Sequence, residues 1–233
     1  MTATAATSRQ THKPHQACQP HQAHEPYQAH PELWIAGVGG VGREALDTAL
    51  AAGVPVAGFL DDRQHGATVR GLPVRRPADI PSGARYLVGI ADPAVRQRLA
   101  AVLDARGAAP ATLVHPRALI APGTVLEPGC LVMGGAYVSS SVRLGAHSQV
   151  HYNATVGHDT VFGERVTVYP GGNVSGAVLL ADDTTVGSNA VVLQGRKIGA
   201  GAFVGAAAVV TRDVPPGEVV VGSPARPLRA ARP

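Results

Sequence analysis

From Val114 to Val210 an apolar residue recurs at every sixth position. That interval matches neither the 3.6-residue turn of an α-helix nor the two-residue alternation of a strand. The ladder passes through Ile120, Leu126, Val132, Val138, Leu144, Val150, Val156, Phe162 and Val168 and continues to its end unbroken. Four places after each rung the residue is small or modest, as at Ala118, Cys130, Ala136, Ser148, Ala154, Thr160 and Ala190; Arg196 alone is large. A large aliphatic wedge and a small residue in every six predict a tight triangular coil, the hexapeptide form of the parallel β-helix. Three hexads close one coil, so residues eighteen apart lie above one another at about 4.8 Å, the spacing of paired strands. A single coil cannot bury its inner face, and stability comes from stacking.

The pattern upstream is different. Residues 32–112 alternate between short apolar runs and helical periodicity: "LWIAGVGGVGREALDTALAAG" reads as strand, glycine loop and helix. "VPVAGFLDD" is a second strand ending in two acids, "ARYLVGIADPAVRQRLAAVLDARG" a further strand, turn and helix, and "ATLVHP" a short strand leading out. Alternating strands and helices predict a parallel sheet covered on its faces. The expected organisation is thus a Rossmann-like α/β domain over 32–112, followed by a β-helix domain with a C-terminal extension over 113–233. Residues 1–31, with His12, His15, His21, His24 and His30 among Gln and Pro, read as a disordered tail with too few apolar groups to fold. Loose metal capture there would be incidental.

Composition sharpens this picture. Aromatic residues are only 4% of the 233, against 45% hydrophobic overall, so the core is aliphatic; 28 glycines and 19 prolines imply many turns. Cys18 and Cys130 sit far apart in dissimilar settings, which gives no disulfide framework or CxxC pair and points to a reducing compartment. Cys130 falls on a small inward position and reads as structural. No apolar run is long enough to span a bilayer, and the N-terminal residues lack a signal's apolar centre, so the cytoplasm is expected. The formal net charge of +4 is spread without a dense, aromatic-laced basic face, which argues against nucleic acid and suits small anionic ligands.

The coil converts sequence into neighbourhood. His158, third in the hexad Val156–Val161, occupies an outward place, stacked between Ser140 and Gly176 in its column. Gly176 leaves room and an accessible backbone N–H above the imidazole. Asp159 is placed to orient the ring or favour its cation, although an outward histidine is commonly only solvated. Upstream, Gly37–Gly42 ("GVGGVG") satisfies the dinucleotide fingerprint, with Asp61 about twenty residues on. An NAD-dependent oxidoreductase is therefore a rival reading. The short domain and the uninterrupted repeat that follows it speak against hydride transfer.

Hexapeptide coils, the "GHD" element at Gly157–Asp159, the closing "VVGSPARPLR" and a preceding Gly-loop domain with "FLDD" together resemble the bacterial nucleotide-sugar N-acetyltransferases and the related sialic acid O-acetyltransferases. The resemblance spans residues 33 to 229. It implies a homotrimer of left-handed β-helices with acetyl-CoA lying between neighbouring helices, and a nucleotide-linked amino sugar held by the α/β domain. It implies His158 as the general base that takes a proton from the sugar amine or hydroxyl as that atom attacks the thioester, with Asp159 as its modulator; the column independently offers the backbone N–H near Gly176 as oxyanion donor. Thr167, Gly176, Ser188, Ala206 and Arg226 would border acetyl-CoA, and Gly39, Gly40 and Val41 would approach the sugar, with Asp61 and Asp62 near the nucleotide. The family often carries histidine where Val41 stands, which points to a different sugar contact.

Two further alternatives remain. A zinc hydrolyase on this fold needs three clustered histidines; His115 and His151 share a column but stand two coils apart, and Val156 occupies the third ligand's place. No metal is expected, and His147 reads as a surface residue. A trimeric scaffold that senses a nucleotide would keep the coils without needing His158.

Overall fold

The computed structural model describes residues 32–228. The tail and its histidines, with Cys18, lie outside the described residues. The described part belongs to one compact unit.

The α/β layer comprises β1 (Leu33–Ala36), α1 (Gly40–Ala51), β2 (Val56–Leu60), β3 (Thr68–Val69), β4 (Leu72–Arg75), β5 (Arg85–Val88), α2 (Pro93–Asp104) and β6 (Ala109–Pro110). Its sheet order is β3-β4-β2-β1-β5-β6, with β1 parallel to both β2 and β5. The chain reverses direction across the sheet between β1 and β5, so the crevice at their carboxyl ends is the expected ligand side. Helix α1 buries Gly42, Ala45, Leu46 and Ala49, one face at helical spacing. Helix α2 opens on Asp92, whose side chain accepts from the Val95 N–H, followed by Pro93 where no N–H is missed.

The glycine loop is fixed by close approach. A Cβ on Gly42 would sit 1.9 Å from the Gly37 carbonyl oxygen, and one on Gly89 would sit 2.6 Å from the Gly42 Cα. Loop 37–42 and the turn after β5 therefore touch backbone to backbone.

From β7 (Leu113–Val114) onward the chain coils as a solenoid with three parallel faces. The first runs through Leu131–Val132, Gln149–Val150, Thr167–Val168, Thr185–Val186 and Phe203–Val204; the second through Tyr137–Val138, Thr155–Val156 and Asn173–Val174; the third through Arg143–Leu144, Val161–Phe162 and Leu179–Leu180. Up to Val210 the pairings are eighteen residues apart, as Val150↔Val168 and Val156↔Val174 show; the closing coil is shorter, with Phe203↔Val219 and Ile198↔Val214 sixteen apart. The six-residue ladder is the core: Val132, Val138, Leu144, Val150, Val156, Val168, Leu180 and Val192 are all fully enclosed, as are the small partners Cys130, Ala154, Thr160, Ala190 and Ala208. Burial pushes the Cys130 thiol up to about 12, which keeps it protonated and inert. Arg196, the outlier in the ladder of small residues, turns out to solvent and donates to the Gln194 carbonyl.

Each corner turns through a residue of left-handed backbone. Every sixth position from Gly123 to Ala207 has positive φ, including His147, Asn153, Asp159, Arg165, Asp183 and Asn189. Asn, Asp and Gly accept this conformation at least cost.

Leu144→Ala empties a wedge position that the neighbouring rungs cannot refill. It is expected to lower unfolding stability by about 2–5 kcal/mol in denaturant titration. A loss below about 0.5 kcal/mol, the range of surface changes, would contradict the inward register.

Candidate active site

His158 projects from the corner between the second and third faces, with its side chain 54% exposed. The column is as its spacing requires: Asp159 N–H donates to the Ser140 carbonyl, and Ala177 N–H to that of His158. A Cβ on Gly176 would lie 2.5 Å from His158 Nε2, so only glycine lets the ring settle over the next rung. Asp159 Oδ2 lies 2.8 Å from His158 Nδ1. With the proton on Nδ1 in that bond, Nε2 keeps its lone pair and has no hydrogen-bond partner among the described residues. Among the described residues the Gly176 N–H has no acceptor, as is true of the second residue of the neighbouring rungs in this corner, Ser140 and Gln194.

Ser188 and Ala206 stack one coil apart at a different corner, between the first and second faces. Ser188 is half-buried and Ala206 exposed, which leaves an open furrow of small residues. Arg226 is exposed on the terminal hairpin, its guanidinium donating to the Ala225 carbonyl. The structure does not bring these residues to the His158 corner within one chain; the second face separates them.

The expectation for Thr167 is corrected. It is fully buried, its hydroxyl donating to the Ala91 carbonyl (3.1 Å) and accepting from Arg96 (2.9 Å), because the α/β layer covers the first face. His147 is likewise no surface residue: its ring stacks on Tyr86, centroids 6.0 Å apart, in the same seam. Sequence reasoning missed Arg96, Gln149 and Arg165. Arg96 is 1% exposed and donates to the carbonyls of Ile90, Ala91 and Arg165; burial lowers its pKa to about 10, which leaves it charged at neutral pH. Arg165 pairs with Asp183 (2.6 Å). Nothing in the one-dimensional pattern says which outer face the α/β layer covers, and without that these side chains read as solvated.

The crevice at the carboxyl end of the α/β sheet encloses about 290 Å³, lined by Gly37, Asp61, Asp62, Ile90, Arg63 and Arg98. Asp61 is occupied: its carboxylate accepts from the N–H groups of Arg63 (2.9 Å), Gln64 (3.3 Å) and Val38 (3.4 Å), which ties the acidic turn to the glycine loop. Gly39 and Gly40 stand with open space where a side chain would be, and Val41 is half-buried beside them. Because the α/β layer sits on the first face, this crevice and the His158 corner lie on opposite sides of one solenoid.

Among the described residues no group of three His, Cys, Asp or Glu is placed to hold a metal, and no helix is long and apolar enough to cross a membrane. His115 accepts the Arg117 N–H at Nδ1, and His151 is buried against Tyr169, so the two stay apart in their uses.

A Gly-loop sheet crevice joined to a hexapeptide solenoid bearing an outward His–Asp pair defines an acyltransferase of the hexapeptide type. Residues 32–103 match the family model described as the PglD N-terminal domain. The chain is 31% identical over 180 residues to GDP-perosamine N-acetyltransferase of Escherichia coli, covering 73% of this chain and 81% of that one. PerB of Caulobacter crescentus, solved with CoA and GDP-perosamine, superposes with TM-score 0.79 at 28% identity, covering 85% and 97% of the two chains. The acetyltransferase domain of PglB from Neisseria gonorrhoeae, solved with acetyl coenzyme A, gives TM-score 0.80 at 31% identity over 84% and 98%. The chain belongs to the nucleotide-sugar N-acetyltransferases of the hexapeptide-repeat family.

His151 is 2% exposed, and burial lowers its pKa to about 4; the pKa of His147 is lowered by the same cause. Both are neutral when folded, so between the ordinary histidine value and these lowered ones the unfolded chain binds more protons. Stability is therefore full above about pH 6.5 and falls as pH drops below it. A thermal melt series from pH 7.5 to 4.5 should show the decline, and His151→Phe should flatten it. An unaltered slope in that variant would remove His151 from the cause.

Proposed function

We propose that the protein transfers an acetyl group from acetyl-CoA to the amine of a nucleotide-linked sugar, with His158 as general base. The observation that carries this reading is the His158–Asp159 bond over Gly176. It fixes the tautomer, orients the ring and leaves Nε2 open to a substrate.

Acetyl-CoA supplies the activated acyl group as a thioester. The furrow at Ser188 and Ala206 fits its slender arm, because small residues there leave no obstruction, and exposed Arg226 offers positive charge for its phosphates. His158 Nε2 takes a proton from the sugar amine as the nitrogen bonds to the acyl carbon and the carbon–sulfur bond breaks. Asp159 stabilises the imidazolium through the bond to Nδ1. The Gly176 N–H is free to meet the charge developing on the acyl oxygen. The imidazolium then returns its proton to the leaving thiolate. Gly39, Gly40 and Val41 approach the sugar, and Asp62 reaches the nucleotide, while Asp61 holds the turn from which Asp62 projects. With valine at position 41 the loop brings an apolar contact where a polar one would otherwise stand.

The separation of crevice and base on opposite sides of one solenoid supports a shared site in which one copy holds the nucleotide sugar and its neighbour supplies His158. A homotrimer of solenoids provides that arrangement three times over.

His158→Ala should reduce kcat about 10²–10⁴-fold while acetyl-CoA binding, read by calorimetry, is retained; undiminished turnover would discard the base. Mixing His158→Ala subunits with Asp62→Ala subunits, each inactive alone, should restore part of the activity by pairing an intact crevice with an intact base. Failure of the mixture, with subunit exchange shown by mass spectrometry, would place the whole site in one chain.

A further inference from the structure

The turn from Gly89 to Asp92, between β5 and α2, forms a wall of the crevice through Ile90. It is not held by its own sheet alone. Gln149, on the first solenoid face and 1% exposed, donates from one amide nitrogen to the carbonyls of Val88 (2.9 Å) and Ile90 (3.2 Å). Thr167, one coil on, donates to the Ala91 carbonyl. His151 Nε2 lies 3.3 Å from Gln149 Oε1; as a neutral ring it donates there, which turns the amide nitrogen toward the turn. Solenoid side chains thus engage three carbonyls, those of Val88, Ile90 and Ala91, at the back of the crevice.

The front of the same turn touches the glycine loop. Gly89 packs on the Gly42 Cα, Gly42 on the Gly37 oxygen, and Gly37 faces Ile90. None of these three glycines has room for a Cβ, so the turn lies close against loop 37–42 and a shift of one is transmitted to the other.

We propose that Gln149 is a positioning residue for nucleotide-sugar binding, acting through the turn at Val88–Ile90 on the glycine loop. The proposal rests on the reading of the crevice as the nucleotide-sugar pocket. It makes the solenoid a determinant of affinity for the acceptor substrate as well as the carrier of the base. Gln149 lies at the rear of the pocket and touches neither substrate.

Gln149→Met keeps the unbranched shape and removes both donors. Calorimetric titration with GDP, UDP and dTDP identifies the nucleotide the wild-type chain binds. For that nucleotide Gln149→Met is expected to raise Kd about tenfold, the equivalent of one or two buried hydrogen bonds, with the Kd for acetyl-CoA unchanged. His147→Leu is the control, because His147 lies in the same seam against Tyr86 and does not touch the turn; it should lower the melting temperature and leave both Kd values alone. Should Gln149→Met fail to fold, Thr167→Val, which removes the donor to Ala91, carries the same test with an expected rise of about threefold. An unchanged nucleotide Kd, or an equal rise in the His147 variant, would overturn the proposal and leave the acetyltransferase reading standing. Absence of nucleotide binding by the wild-type chain would overturn that reading, and this inference with it.

Discussion

The structure depends on the requirement that each coil present its neighbour with the same row of inward side chains. Parallel pairs such as Val132↔Val150 and Val150↔Val168 repeat at eighteen residues. A single insertion would throw every wedge above it out of its column. This register spares the outward side chains that the α/β layer does not cover: once the wedge and small positions of each hexad are committed to the core, those places carry none of the inner packing. His158 sits at one such place. Its partner Gly176 is constrained for another reason, since any side chain there would meet the imidazole.

The second constraint is the seam. The outer surface of the first face carries Gln149, Thr167 and Thr185, all buried, where the third face carries exposed Val161 and Leu179. Burying polar groups is unfavourable unless each finds a partner. For Gln149 and Thr167 the partners are carbonyls at and just beyond the carboxyl end of β5, and Arg96 meets two of them, Ile90 and Ala91, at once. Neutral His147 and His151 add no charge beside that guanidinium, as its repulsion and their burial both require. The seam fixes orientation through directed bonds, which is why the crevice can be positioned from behind.

Much of this was legible in the chain. The six-residue ladder fixed the solenoid because its signal is inward packing, which each rung repeats. His158 over Gly176 followed from the eighteen-residue column. The glycine loop, the strand–helix alternation and the acidic turn followed from local chemistry. What escaped was set by docking. Thr167 and His147 occupy outward places that look like others in the repeat; only the α/β layer distinguishes them. The corner positions with positive φ were available as a third periodic signal, since Gly, Asn and Asp recur from Gly123 to Ala207. Serine, arginine and alanine at some corners blur it.

That corner rule bears on the base itself. Asp159 is the left-handed residue of its corner, with φ of 57°. An aspartate is among the few side chains that hold this backbone cheaply, and its short carboxylate folds back onto the ring before it at 2.8 Å. A longer carboxylate would carry more rotamer freedom to lose in the same bond. The turn geometry that closes the coil therefore also selects and aims the group that orients His158. The corner is a favourable place for such a base because the backbone does part of the positioning that elsewhere would need a further layer of side chains.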